Sequence, residues 1–231
     1  VVNMCLDDKH SWQGLWLGEQ YGLQIDISRV FDLSWTSSRV TTEWYLAENG
    51  MPLYMPEGFD IHTFKPLTLK NDMDISFVGS AYGCRPSIIR FLKARGISIH
   101  AFGHGWKDGS IPTEMQVEVY NRSKINLGIG AIGYSEFLTN LKGRDFEIPG
   151  CGGGMYLTSF NPDLALHFHI GKEIVCYRSR DEMLELIRYY LTHADEAQEI
   201  AKAGRDRCLR EHRWLHRYIR ILSILGIVEN R

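Results

Sequence analysis

The stretch DISFVGSAYGCRPSIIRFLKARGISIHAFGHGW, residues 74–106, decides the fold. Its opening run, Asp74–Val78, is a continuous apolar segment too short for a helix, and it reads as a strand buried on both faces. A glycine-containing loop follows, and then the helical segment PSIIRFLKARG. Pro86 suits a first helical position and Gly96 a C-terminal cap. Ile97–Phe102 is the next strand, ending in GHGW. Strand, helix and strand at this spacing make a βαβ unit, whose two strands lie parallel.

The same alternation continues downstream. TEMQVEVYNRSK has a helical period, INLGIG is a strand, and GRDFEIPG starts a short helix before the strand MYLTSF. PDLALHF reads as a short helix, KEIVCYR as a strand, and SRDEMLELIRYYLTH as a capped amphipathic helix, with mostly helix from Asp195 onward. Upstream the pattern is shorter. Val1–Leu6 reads as a strand ending in Asp7–Asp8, Ile27–Leu33 as a second strand with SWTSS as its exit loop, and Arg39–Glu48 as a helix closed by Asn49–Gly50. MPLYMPEGFD is a further strand running into a connection, and HTFKPLTLKND is the candidate linker. The expected architecture is therefore α/β: one complete Rossmann-like parallel-sheet domain over 59–231, preceded by a partial Rossmann-like domain over 1–58.

Composition narrows the function. Of 231 residues, 44% are hydrophobic and 23% charged, which is ordinary for a globular protein. A net charge of −2 argues against a nucleic-acid partner. Five scattered cysteines without a C-x-x-C pair read as reduced thiols, which suggests a cytoplasmic protein. No apolar run reaches the ~18 residues of a membrane span. The strand-like start without an initiator methionine suggests a piece of something longer. The dinucleotide fingerprint G-x-G-x-x-G, the P-loop and G-x-S-x-G are all missing, which weakens oxidoreductase, NTPase and hydrolase readings. His212/His216 and His167/His169 have ligand-like spacings but lack a third partner nearby in sequence, so no metal site is assigned.

In open parallel sheets ligands bind beyond the carboxyl ends of the strands, so the loops there carry the candidate site. The first, GSAYGCRP, has Gly79, Ser80 and Gly83, with Arg85 at a helix start, where a cation opposes the helix dipole unless an anion sits there too. The second, GHGWKDGS, places His104, Gly105 and Trp106 where a flat base could pack, although Trp106 serves equally well as core. The third brings Lys142, Arg144 and Glu147 ahead of Gly150, Gly152, Gly153 and Gly154. Each feature alone has a structural reading: glycines make turns, and acids favour helix starts. Their recurrence on successive loops of one sheet edge is what points to a ligand.

These residues also carry a resemblance. YMPEGFDIHTFKP, residues 74–106, YNRSKINLGI, LKGRDFEIPGCGGGMYLT, HFHIGKEIVCYRSRDEMLELIRYYL and DEAQEIAKAGRDRCLREHRWLHRYIRIL resemble, in order, the C-terminal half of GT-B glycosyltransferases, and within them the spore-maturation CgeB-like set of the group 1 superfamily. VVNMCLDD and SWTSSRVTTEWYLAENG resemble the end of that family's N-terminal, acceptor-side domain. The resemblance implies a nucleotide-diphosphate sugar as donor and an acceptor of unknown kind. It also implies retention of anomeric configuration and no essential metal or other cofactor. It implies that Glu147 accepts hydrogen bonds from the ribose hydroxyls, that Arg85, Lys142 and Arg144 face the diphosphate, and that the glycines from Gly150 let the chain turn beneath the nucleotide. Related enzymes carry a second glutamate eight residues upstream; here that position is Thr139, which leaves Glu136 as the nearby carboxylate. The rival expectation is a binding module of the same ancestry that holds a sugar nucleotide without turning it over.

Overall fold

The computed structural model describes residues 1–12, 15–16, 19–20 and 24–229. Contacts divide them into two compact units, Val1–Glu57 with Asn140–Lys142, and Gly58–Thr139 with Gly143–Arg231.

The first unit contains β1 (Val2–Cys5), α1 (Asp8–Ser11), β2 (Leu15–Trp16), β3 (Glu19–Gln20), α2 (Gln24–Ile27), β4 (Leu33–Thr36), α3 (Thr41–Ala47) and β5 (Pro52–Tyr54). β1, β4 and β5 form a parallel sheet with β4 in the middle. The expected strand at Ile27–Leu33 is displaced: it begins at Leu33 and runs through what reads as an exit loop. Ser34 and Thr36 look like loop residues, yet all four residues of β4 are buried as the central strand. Thr36 satisfies its hydroxyl internally against Thr41 (2.6 Å), which is how a polar residue tolerates that position. Asp8 is likewise buried and accepts hydrogen bonds from Thr41 Oγ1 and Tyr45 OH, both at 3.1 Å.

The second unit is built on β6 (Met73–Val78), α4 (Arg85–Lys93), β7 (Ile99–Phe102), α5 (Thr113–Arg122) and β8 (Ser123–Gly128). A hairpin of β9 (Ala131–Ile132) and β10 (Ser135–Thr139) follows, then α6 (Arg144–Cys151), β11 (Met155–Ser159), a 3₁₀ turn at Pro162–Leu166 and β12 (Val175–Tyr177). Helices α7 (Arg180–Thr192), α8 (Ala194–Glu211) and α9 (Trp214–Ile224) complete it. Five parallel strands lie in the order β12-β11-β8-β6-β7. Ile75, Phe77, Ile125, Leu127 and Leu157 are fully buried in it, as continuous apolar strands covered on both faces require. α4 and α7 cover one face, and α5, α6 and α8 the other. Ser179 caps α7 by accepting from the Glu182 amide (3.1 Å).

The strand order places the site. From β6 the chain crosses to β7 on one side, then returns over β6 to β8 on the other. The direction of winding therefore reverses between β6 and β8, and a crevice opens at their carboxyl ends.

Candidate functional site

Arg144 occupies that crevice. It is the first residue of α6, and its side chain reaches both loops that flank the reversal. Nη2 donates to the Ile129 carbonyl after β8 (2.9 Å), and Nη1 lies against Gly79 after β6. A methyl group on Gly79 would sit 3.1 Å from Nη1 and 3.1 Å from Phe77 Cζ. Glycine at 79 is thus what allows the guanidinium into the crevice. The Arg144 guanidinium stands 5.8 Å from the Phe77 ring centroid, and so does that of Arg85.

Arg85, expected to face the diphosphate, is packed into the protein. It is only 5% exposed, lies 4.3 Å from the Tyr82 ring centroid and donates to the Ser80 carbonyl (3.2 Å). Packed beneath the loop, it shapes Gly79–Ser80 and contributes positive charge from below.

The second loop is fastened to the first. The Gly79 amide donates to the Phe102 carbonyl (2.8 Å), and the Ala81 amide to the His104 carbonyl (2.7 Å). Trp106 Nε1 donates to the Gly79 carbonyl (2.6 Å), with its ring edge-on to Phe77. The indole therefore pins the loop, as its core-like reading allows, and its polar atom is already used. The His104 ring is exposed. Gly105 holds a left-handed φ of +84° that lets the turn close.

Glu147 lies one turn into α6, on the face it shares with Arg144. It is half-buried, and among the described residues no hydrogen bond or ion pair reaches its carboxylate. Burial pushes its pKa up to about 7; Arg144 pulls the other way, and Asp145 adds to the rise. A half-buried carboxylate left without a hydrogen-bond partner one turn from Arg144 is poised to accept hydrogen bonds from a ligand.

The next residue that matters went unread in sequence. Asp145 is buried and accepts a hydrogen bond from Tyr156 OH on β11. A Cβ at Gly128 would fall 2.3 Å from that phenol oxygen. This buried pair fixes the first turn of α6 on β8 and β11, and so aims Arg144 and Glu147. A spacing pattern does not reveal it, because Asp145 is one of several polar residues in GRDFE and only the fold tells which of them points inward.

One expected site residue is not brought to this crevice. Gly150 is buried at the far end of α6, where a Cβ would meet Phe59 Cδ2 at 2.5 Å; α6 runs back toward the amino ends of the strands, so this glycine relieves a packing contact. Lys142 belongs with the first unit and is ion-paired to Asp7. Glu136 is held by Arg180 Nε, at 3.1 Å from each carboxylate oxygen.

The geometry is that of an open parallel α/β sheet whose reversal crevice holds an arginine, with a carboxylate one helical turn away. The family model described as glycosyl transferase-like matches residues 85–223, and the chain belongs to that family. Its fold is that of GT-B glycosyltransferases. Sucrose-phosphate synthase from Thermosynechococcus elongatus superposes with a TM-score of 0.67 at 16% identity, over 88% of this chain and 60% of that one. HepE from Anabaena, in complex with UDP-glucose, gives 0.67 at 11% identity, over 88% and 66%. TarM of S. aureus gives 0.69 at 10%, over 96% and 49%. This chain thus spans between about half and two thirds of the length of these proteins. A comparison with curated proteins finds no match.

Proposed function

We propose that the crevice between β6 and β8 binds a nucleoside-diphosphate sugar, and that the protein to which this chain belongs transfers the sugar to an acceptor with retention and without an essential metal. The observation that carries this reading is the Arg144 guanidinium bridging Gly79 and Ile129, one helical turn from the unpartnered Glu147. Arg144 faces the diphosphate, and Arg85 supports it from beneath. Glu147 accepts from the ribose hydroxyls. The amide-rich edge formed by Gly79, Ser80 and the His104–Trp106 loop surrounds the nucleotide. Two helices, α4 and α6, both begin with arginine; each cation opposes its helix dipole unless an anion lies between them.

The chemistry follows from charge. The bond from the anomeric carbon to the β-phosphate oxygen breaks with its electron pair on the diphosphate, while the sugar acquires oxocarbenium character. An acceptor hydroxyl forms the new bond to the anomeric carbon and gives up its proton to the departing diphosphate oxygen, which has gained the electron pair of the broken bond. Arg144 stabilises the charge growing on the leaving group, a contribution of about 2.7–4 kcal/mol for a preorganised donor of this kind. The first unit is read as the acceptor-side portion, and the CgeB-like set as the branch.

The test is a metal-free calorimetric titration of UDP, GDP, ADP and dTDP, beside Glu147→Ala. One diphosphate should bind, and the variant should lose most of that affinity; if none binds, the donor reading fails. Release of sugar from the matching sugar nucleotide then separates an enzyme from a module that binds without turnover.

A further inference from the structure

Two of the histidines with ligand-like spacings come together in a different role. His167 and His212 meet ring to ring, 5.5 Å apart and nearly perpendicular. Both flank Phe146, the fully buried residue of α6 that lies between Asp145 and Glu147 in sequence. The His212 ring centroid is 5.1 Å from that of Phe146, Phe168 packs against the same ring at 5.7 Å, and the Arg217 guanidinium stands 5.6 Å from it.

His212 is 3% exposed and Arg217 7%, and the two are joined. Arg217 Nη2 donates to His212 Nδ1 (2.9 Å). A guanidinium can only donate, so Nδ1 accepts and the ring proton sits on Nε2, which donates to the His167 carbonyl (3.0 Å). Arg217 Nη1 donates to the Glu211 carbonyl (2.9 Å), and Arg207 Nε to the His167 carbonyl (2.8 Å). Both ring nitrogens of His212 are therefore in use. An apolar side chain would fill this space without the cost of burying polar groups. What it would not supply is one fixed ring orientation, which a satisfied buried network does.

The helix above needs that fixing. α6 is eight residues long, starts on Gly143 without a side-chain cap, ends on Gly152 and contains Pro149, which removes a backbone hydrogen bond from its ladder. A helix this short takes its orientation from packing. Asp145 and Tyr156 hold one side of its first turn, and Phe146 projects about 100° further round. We infer that His212 is a positioning residue: held by Arg217 and the His167 carbonyl, it fixes the Phe146 ring and with it the rotation of α6 that sets Arg144 and Glu147. The inference rests on the donor reading for what Arg144 and Glu147 bind, and on the geometry alone for the brace.

The titration of Glu147 reports the helix directly. Burial keeps His212 neutral, its pKa pushed down to about 3, so replacing it removes no charge near Glu147 between about pH 5 and 9. Carbon-13 NMR of the full chain, with the Glu147 carboxyl assigned by its loss in Glu147→Gln, should place the parent midpoint at about 7. In His212→Phe the midpoint should fall by about one unit as the carboxylate gains water. His212→Gln keeps an acceptor for Arg217 and a donor for the His167 carbonyl, and should restore most of the shift. Ile187→Val, a buried change on α7 across the sheet, should lower the melting temperature and leave the midpoint alone. Should His212→Phe not fold, Phe146→Leu removes the same contact from α6 and carries the same expectation. A midpoint unmoved by loss of the contact overturns the inference, as does equal movement in Ile187→Val or a Gln variant no better than Phe. UDP affinity, measured alongside, should drop about tenfold with the midpoint. A parent protein that ignores UDP sinks the donor reading and leaves the titration to judge the brace. UDP affinity that holds while the midpoint moves overturns the link from brace to site.

Discussion

The two edges of the five-stranded sheet are both rich in glycine, and they use it for opposite purposes. At the carboxyl edge, glycine at 79 leaves room for an arginine to enter the crevice, and Gly103 lets its loop approach the Gly79 carbonyl, which a Cβ would meet at 2.5 Å. At the amino edge, Gly150, Gly153 and Gly154 lie against Phe59, Asn121 and the Ser123 carbonyl, with prospective Cβ contacts of 2.5, 2.4 and 1.9 Å. Gly152 ends α6 in the left-handed conformation, φ +68°. One edge is open to ligand and the other closed on itself. Substitutions at the first should change binding, and at the second folding.

The largest effect separates them at once. Arg144→Ala removes the cation that touches both flanking loops, and turnover of the sugar nucleotide should drop by about 10²–10³-fold. Steady-state kinetics would show it, while a thermal melt should move little, since the arginine gives up a single hydrogen bond to Ile129. An Arg144→Ala protein that turned over normally would move the leaving-group site elsewhere.

Gly154→Ala should do the reverse. Its new methyl cannot coexist with the Ser123 carbonyl, so β8 or the α6–β11 connection must shift, at a cost of about 3 kcal/mol. Denaturant unfolding should register that loss, and the protein that remains folded should bind diphosphate as before. A stable Gly154→Ala protein with lost affinity would mean that the glycines lie beneath the nucleotide after all.

Glu147 lies between these extremes, because its burial makes it both a ligand group and a cost to the fold. Glu147→Gln should weaken diphosphate binding by about 1.5–3 kcal/mol, the worth of hydrogen bonds to a charged group. The pH dependence has a definite sign. With a pKa near 7, the side chain is largely protonated at pH 6, so nucleoside affinity should rise between pH 6 and 8, and binding at pH 7 should release protons. Stability runs the other way. The folded protein holds this proton over a range where the unfolded chain, with an ordinary carboxylate, has lost it. The contribution of Glu147 therefore declines as pH rises from about 4.5 to 7. Glu147→Gln should abolish that decline, and melts at pH 5 and 8 would reveal it. Arg144, Asp145 and the buried Tyr120 and Cys151 face or sense this carboxylate, so Arg144→Ala should push its titration higher still.

The fold was legible wherever one physical cause dominated. Asp74–Val78 could hardly be anything but a buried strand, and the capped helices at Pro86 and Ser179 announce their own starts. Legibility failed where a neighbour distant in sequence decides the outcome. Ser34–Thr36 reads as loop chemistry until β1 and β5 enclose it, and the hairpin at 131–139 carries no apolar alternation to mark it. In the site, residue types were easier to read than directions. That Arg144 and Glu147 share a helical face follows from their spacing. That Arg85 is buried, that Asp145 answers Tyr156, and that Gly150 meets Phe59 all depend on what lies across a gap in the chain.

The smallest expected effect tests whether the second loop acts through side chains or backbone. Trp106 spends its indole N–H on the Gly79 carbonyl, so Trp106→Phe should lose about 1 kcal/mol of stability and loosen the loop. His104 contributes its carbonyl to the Ala81 amide while its ring lies in solvent, so His104→Ala should leave stability within about 0.5 kcal/mol of the parent. If diphosphate affinity falls in Trp106→Phe and not in His104→Ala, the loop serves the nucleotide by holding the Gly79 backbone in place. If His104→Ala alone loses affinity, with an unchanged melt, the exposed imidazole itself meets the base. Calorimetry on the pair distinguishes the two, because only the first case links affinity to the melting temperature.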